Sequence, residues 1–121
     1  MSQTMTDYLT PNFKRSEFAC KCNCGFDDID KRVPYILQQV RDHFDKPVIV
    51  TSGCRCEKHN AAINGSPRSQ HMLGKAADFV VRGVDPGEVA KYIDEQWPNT
   101  LGLGRYGTFT HVDVRRGKAR W

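Results

Sequence analysis

Ser69-Gln70-His71-Met72-Leu73-Gly74-Lys75-Ala76-Ala77-Asp78 is the stretch on which the fold turns. Its first half belongs to a polar loop over residues 66–74. Its second half opens an apolar run, 76–81, that reads as a strand. Asp78 stands inside that run, between Ala77 and Phe79. A lone carboxylate buried among apolar neighbours is costly and needs compensation, which a metal would supply. Gly74 lets the backbone turn tightly between His71 and the strand, and Ala76 leaves space beside it for side chains to converge.

A second segment answers the first. In Phe109-Thr110-His111-Val112-Asp113-Val114 the side chains alternate, so Phe109, His111 and Asp113 share one face of a strand. Two histidines and a carboxylate with an open fourth position make a catalytic zinc arrangement, because structural sites are usually closed. Zinc so held lowers the pKa of its water to roughly 7 and polarises a carbonyl. Spacing alone also admits an ordinary reading, with His71 a loop histidine, Asp78 the partner of an arginine, and His111 a satisfied core residue.

Working outward, Val33, Ile36, Leu37, Val40 and Phe44 recur at helical spacing and predict an amphipathic helix over about 30–44. Asp27 and Asp28 sit where a cap and favourable dipole charges belong. Residues 47–51 read as a short buried strand closed by Ser52-Gly53, and 57–63 as a short helix closed by Asn64-Gly65. Asp85-Pro86-Gly87-Glu88 opens a helix that runs to about Gln96 and stops before Pro98. Residues 101–106 and 108–115 flank Gly107 as a hairpin. The order helix–strand–helix–strand–helix–strand–strand predicts an α+β fold with a small, mainly antiparallel sheet and flanking helices.

The chain has 121 residues, the size of one domain, and a formal charge of +4. Its longest apolar runs fall far short of the roughly 20 residues that span a bilayer. Residues 1–12 lack the basic start and apolar stretch of a signal peptide, so synthesis in the cytoplasm is expected. Arg115, Arg116, Lys118 and Arg120 crowd the C-terminal end. They suit an anionic partner or simply a solvated tail. No standard finger spacing and no aromatic-lined basic stripe is present, so nucleic acid is not an expected partner.

The string Ser-x-His-x-x-Gly-x-Ala-x-Asp, filled by Ser69, His71, Gly74, Ala76 and Asp78 and followed by His111 on a later strand, resembles the signature of a zinc peptidase family. That family comprises the D-Ala-D-Ala carboxypeptidases and dipeptidases and the L-alanyl-D-glutamate endopeptidases, and hedgehog domains share its fold. Phe13, Ser16-Glu17-Phe18, Thr51-Ser52-Gly53-Cys54-Arg55, Asn60, Gly104-Arg105-Tyr106 and Ala119-Arg120-Trp121 extend the likeness to a compact subgroup found in phages. The resemblance implies a flexible lead, 1–12, and one zinc peptidase domain, 13–121. It implies one catalytic zinc on His71, Asp78 and His111, and peptidoglycan stem peptides as substrate. A monomer acting at the bacterial cell wall, released by lysis or carried by a virion, would follow.

The same resemblance implies roles for further residues. Arg55 would hold a substrate carboxylate, as a guanidinium can with two parallel hydrogen bonds; a surface ion pair is the alternative. Ser69 and Gln70 would donate to substrate or to a ligand, or shape the loop. Many members carry an acid three residues before the final histidine, where Thr108 stands here. Asp113 is the substitute, either as general base or as a group orienting His111, with His59 a distant third. Thr108 also favours a non-catalytic zinc-containing module, either cell-wall-binding or a structural part of a virion. The five cysteines, in Cys20-Lys21-Cys22-Asn23-Cys24 and Cys54-Arg55-Cys56, admit disulfides, a second structural metal, or free thiols.

Overall fold

The apolar stripe expected over 30–44 forms helix α1, Arg32–Phe44, which buries Val33, Ile36, Leu37 and Val40. Asp30, rather than Asp27 or Asp28, serves its first turn, accepting from the Arg32 N–H at 2.9 Å. These features come from a computed structural model that describes residues 7–121. Of the lead expected to be flexible, residues 1–6 lie outside the described residues. Strand β1 (Tyr8–Thr10) pairs antiparallel with β2 (Phe13–Lys14). Buried Gln38 of α1 ties this hairpin down, bonding Thr10 Oγ1 at 2.8 Å and the Asn12 N–H at 2.9 Å.

Five further strands make the main sheet: β3 (Val48–Ser52), β4 (Ala76–Val81), β5 (Leu101–Arg105), β6 (Thr110–Asp113) and β7 (Lys118–Arg120). Their order is β3-β4-β6-β5-β7. All neighbours run antiparallel except β5 and β7, which are parallel. The fold is thus α+β with a mainly antiparallel sheet. The edge strand β7 was not expected, because a short, basic, half-exposed segment carries no apolar pattern. Two of the tail cations are paired: Arg120 of β7 bonds Asp94 Oδ1 at 2.7 Å and the Trp97 carbonyl at 2.8 Å, and Arg115, between β6 and β7, pairs with Asp113.

Alternation divides the sheet. Ala77, Phe79 and Val81 of β4, Val112 of β6 and Leu101 and Leu103 of β5 join the core under α1 and α3 (Pro86–Gln96). Asp78, His111 and Asp113 occupy the other face, with Asp78 paired across from His111 and Ala76 from Asp113. Cys54 is a core residue at 1% exposure. Burial pushes its thiol up to about 12, so it behaves as a small apolar side chain. Among the described residues no helix is long and apolar enough to cross a membrane.

Candidate metal centre

The loop before β4 folds into a single 3-10 turn, Gln70–Leu73. Ser69 caps it, its Oγ accepting from the His71 N–H at 3.1 Å. Gly74 ends it in the left-handed region at φ 68°, where a Cβ would also strike the Asp28 carbonyl. That turn buries His71 and fixes its ring. Nδ1 lies 2.6 Å from the Gly53 carbonyl, which can only accept, so Nδ1 carries the proton and Nε2 keeps its lone pair. Nε2 is buried and has no hydrogen-bond partner among the described residues. It stands 3.3 Å from Asp78 Oδ1 without the alignment of a hydrogen bond.

The same Asp78 oxygen lies 2.8 Å from His111 Nδ1. One ligand atom each from His71, Asp78 and His111 therefore falls within 4.8 Å of the others. A buried, unpartnered nitrogen lone pair beside a carboxylate oxygen and a second imidazole nitrogen fits a divalent cation, which would satisfy all three at once. Asp78 Oδ2 is held by Arg55 Nη2 at 3.2 Å. Burial alone would raise the Asp78 carboxyl. The hydrogen bond and charge of His111 outweigh it and hold the group well below the usual carboxylate range.

Asp113 stands behind His111, fully buried. Its Oδ2 lies 2.7 Å from His111 Nε2, and Arg115 grips both its oxygens at 2.7 Å. Because a carboxylate accepts, His111 Nε2 carries a proton and Nδ1 is the nitrogen left to face the cation site. Burial would raise the Asp113 carboxyl, but Arg115 and His111 lower it well below its ordinary range. Burial likewise works against protonated His111, and the hydrogen bonds of Asp113 and Asp78 overcome that and raise its pKa.

A cleft of about 570 Å³ opens on this centre. Its wall includes Arg55, Ser69, Gln70, His71, Asp78 and His111, which the sequence singled out, and also Arg68, Tyr106, Arg115 and Trp121. Arg55 is engaged three times, by Ser52 Oγ at 3.0 Å and Asn60 Oδ1 at 3.3 Å besides Asp78. His59 and Thr108 are not on the wall, and among the described residues Asp78 is its sole Asp or Glu side chain. Sequence reasoning gave no role to Arg115 or Trp121. The Arg115 guanidinium lies 5.0 Å over the Trp121 ring, whose centroid is 5.2 Å from that of His111. The signal was present as a cation two residues past Asp113, on the same strand face, but only β7 brings Trp121 back to meet it.

A family model described as Peptidase M15 matches residues 11–113. That span holds all three prospective ligands together with Arg55 and Asp113. No curated protein sequence matches the chain.

Proposed function

The chain belongs to the peptidase M15 family, the zinc D-Ala-D-Ala carboxypeptidase family, and from that premise we propose that it hydrolyses stem peptides of bacterial peptidoglycan. His71 through Nε2, Asp78 through Oδ1 and His111 through Nδ1 would hold the zinc. When bound, zinc supplies Lewis acidity that polarises a peptide carbonyl and makes water nucleophilic near neutral pH. The observation that carries the reading is the buried, partnerless His71 Nε2, aimed at the Asp78 oxygen that His111 also meets.

The other residues act around that centre. Asp113 is a positioning residue: with both oxygens taken by Arg115 and one turned to His111 Nε2, it fixes the tautomer and aim of His111. Arg55 neutralises the Asp78 oxygen that faces away from the cation site. Arg55 and Arg115 are paired with Asp78 and Asp113, so Arg68 is the wall cation best suited to a peptide carboxylate. Ser69 shapes the loop as its cap, and Gln70 offers an amide to substrate. Residues 13–121 serve as one domain acting as a monomer at the cell wall, in the manner of the compact phage enzymes.

Defined muropeptides incubated with the zinc-loaded chain, with products read by mass spectrometry, test this directly. New peptide termini are expected with zinc, their loss with chelator, and their absence in His111→Ala. Intact muropeptides after exposure to fully loaded protein would defeat the proposal. A second reading has one observation in its favour: among the described residues the cleft wall offers no Asp or Glu besides Asp78. A non-catalytic module would retain peptidoglycan in a pull-down, lose it on chelation, and release no product.

A further inference from the structure

Four of the five cysteines meet at a second point. Cys20, Cys22 and Cys24 lie in the loop that precedes α1, and Cys56 caps the short helix α2 (Glu57–Ala62). Their four sulfurs all lie within 4.8 Å of one another. Cys20 and Cys22 are 3.4 Å apart and Cys22 and Cys56 3.5 Å. These spacings are far beyond the roughly 2.0 Å of a disulfide. They approach the distance of about 3.8 Å between sulfurs set tetrahedrally about 2.3 Å from zinc.

The loop is shaped for this convergence. In an extended chain, alternate cysteines would stand roughly 6–7 Å apart on one face. Here Asn23 at φ 64° and Gly25 at φ 92° take left-handed conformations. The Cys20 N–H bonds the Phe26 carbonyl at 2.8 Å, closing the loop on itself. Backbone donors also point at the sulfurs, the Cys56 N–H to Cys20 Sγ and the His59 N–H to Cys56 Sγ, each at 3.4 Å. Such N–H groups stabilise sulfur as thiolate. Cys54, the odd fifth cysteine, is sealed in the core.

We propose that Cys20, Cys22, Cys24 and Cys56 form a closed four-thiolate zinc site, structural in role and separate from the His71–Asp78–His111 centre. Binding releases the four thiol protons to solvent and transfers no electron. With every ligand supplied by the chain, the site leaves no position for substrate. Its work is to clamp the 20–24 loop to Cys56, next to Arg55, whose guanidinium reaches Asp78.

Zinc analysis of the full chain purified in reductant tests the proposal. Two equivalents are expected. The double variant His71→Ala/His111→Ala should retain one, and Cys22→Ser/Cys24→Ser the other. The cobalt-loaded histidine variant should keep the intense near-ultraviolet absorption of thiolate-to-cobalt charge transfer. As a measure independent of variant folding, a mercurial thiol reagent added to the native chain should release one of the two equivalents. A single equivalent that disappears in the histidine variant, a mass deficit matching disulfides, or no zinc released by the mercurial would each overturn the site.

Discussion

At the scale of single residues, His111 is the pivot, because its two nitrogens face two carboxylates at 2.8 and 2.7 Å. Without metal, hydrogen bonds to Asp113 and Asp78 raise the His111 pKa against the cost of burial, since they favour the form in which both nitrogens donate. A pKa raised on folding adds stability that is whole below the unfolded value of about 6.5 and is lost as pH rises through the folded value. The chelated chain should therefore melt at falling temperature as pH rises above about 6.5, as calorimetry would record. Zinc reverses the trend, since it competes with the proton at Nδ1 and binds more tightly as pH rises. Asp113→Asn should weaken zinc at this centre or slow catalysis by about 10–100-fold, as removal of an outer partner commonly does. Competition with a chromophoric chelator reads the first effect. Gly102, paired across from Asp113, leaves no room for a Cβ, which would strike the Asp113 carboxylate. Gly102→Ala should cost about 1–3 kcal/mol of stability in urea unfolding and displace Asp113 from His111.

At the scale of elements, the helices and the site are separable. Asp85 caps α3, its Oδ1 accepting from the Gly87 N–H at 3.1 Å, with Pro86 at the start of the helix. Asp85→Ala should cost about 1 kcal/mol in denaturant unfolding and leave zinc stoichiometry unchanged, because α3 covers the sheet face opposite the ligands. Both main helices and β4 were legible because apolar residues at period 3.6, a capping Asp-Pro pair and an unbroken apolar run each report locally on backbone state. Strand β7 and the β1–β2 hairpin were not. All three strands are only two or three residues long; β7 takes its partner from β5, and the local β1–β2 pair is tied down by the distant Gln38 of α1. Removing residues 118–121 should lower the melting temperature, since it strips β5 of a partner and Arg120 of its bonds to Asp94 and Trp97.

At the scale of the whole molecule, His71 and Asp78 come from one turn-and-strand unit, and His111 meets them because β4 and β6 are neighbours in the sheet. Metal binding is therefore linked to global folding. A ligand present at a thousandfold over its dissociation constant adds about 4 kcal/mol, so chelation should lower the melting temperature by about 10 °C or more for a chain of this size. A chelator-insensitive melting curve would refute that linkage. The sequence by itself determined the fold class, the three helices, the strand carrying Asp78, and the identity of His71, Asp78 and His111 as a candidate donor set. Residue type and local periodicity suffice for those. Only the tertiary structure decided which nitrogen of each histidine faces the cation site, that Arg115 occupies both oxygens of Asp113, that Arg55 is spent on Asp78, and that Cys56 joins Cys20, Cys22 and Cys24 while Cys54 does not. Each of those depends on an angle or distance between segments far apart along the chain, and local sequence holds no record of such geometry until the sheet has closed.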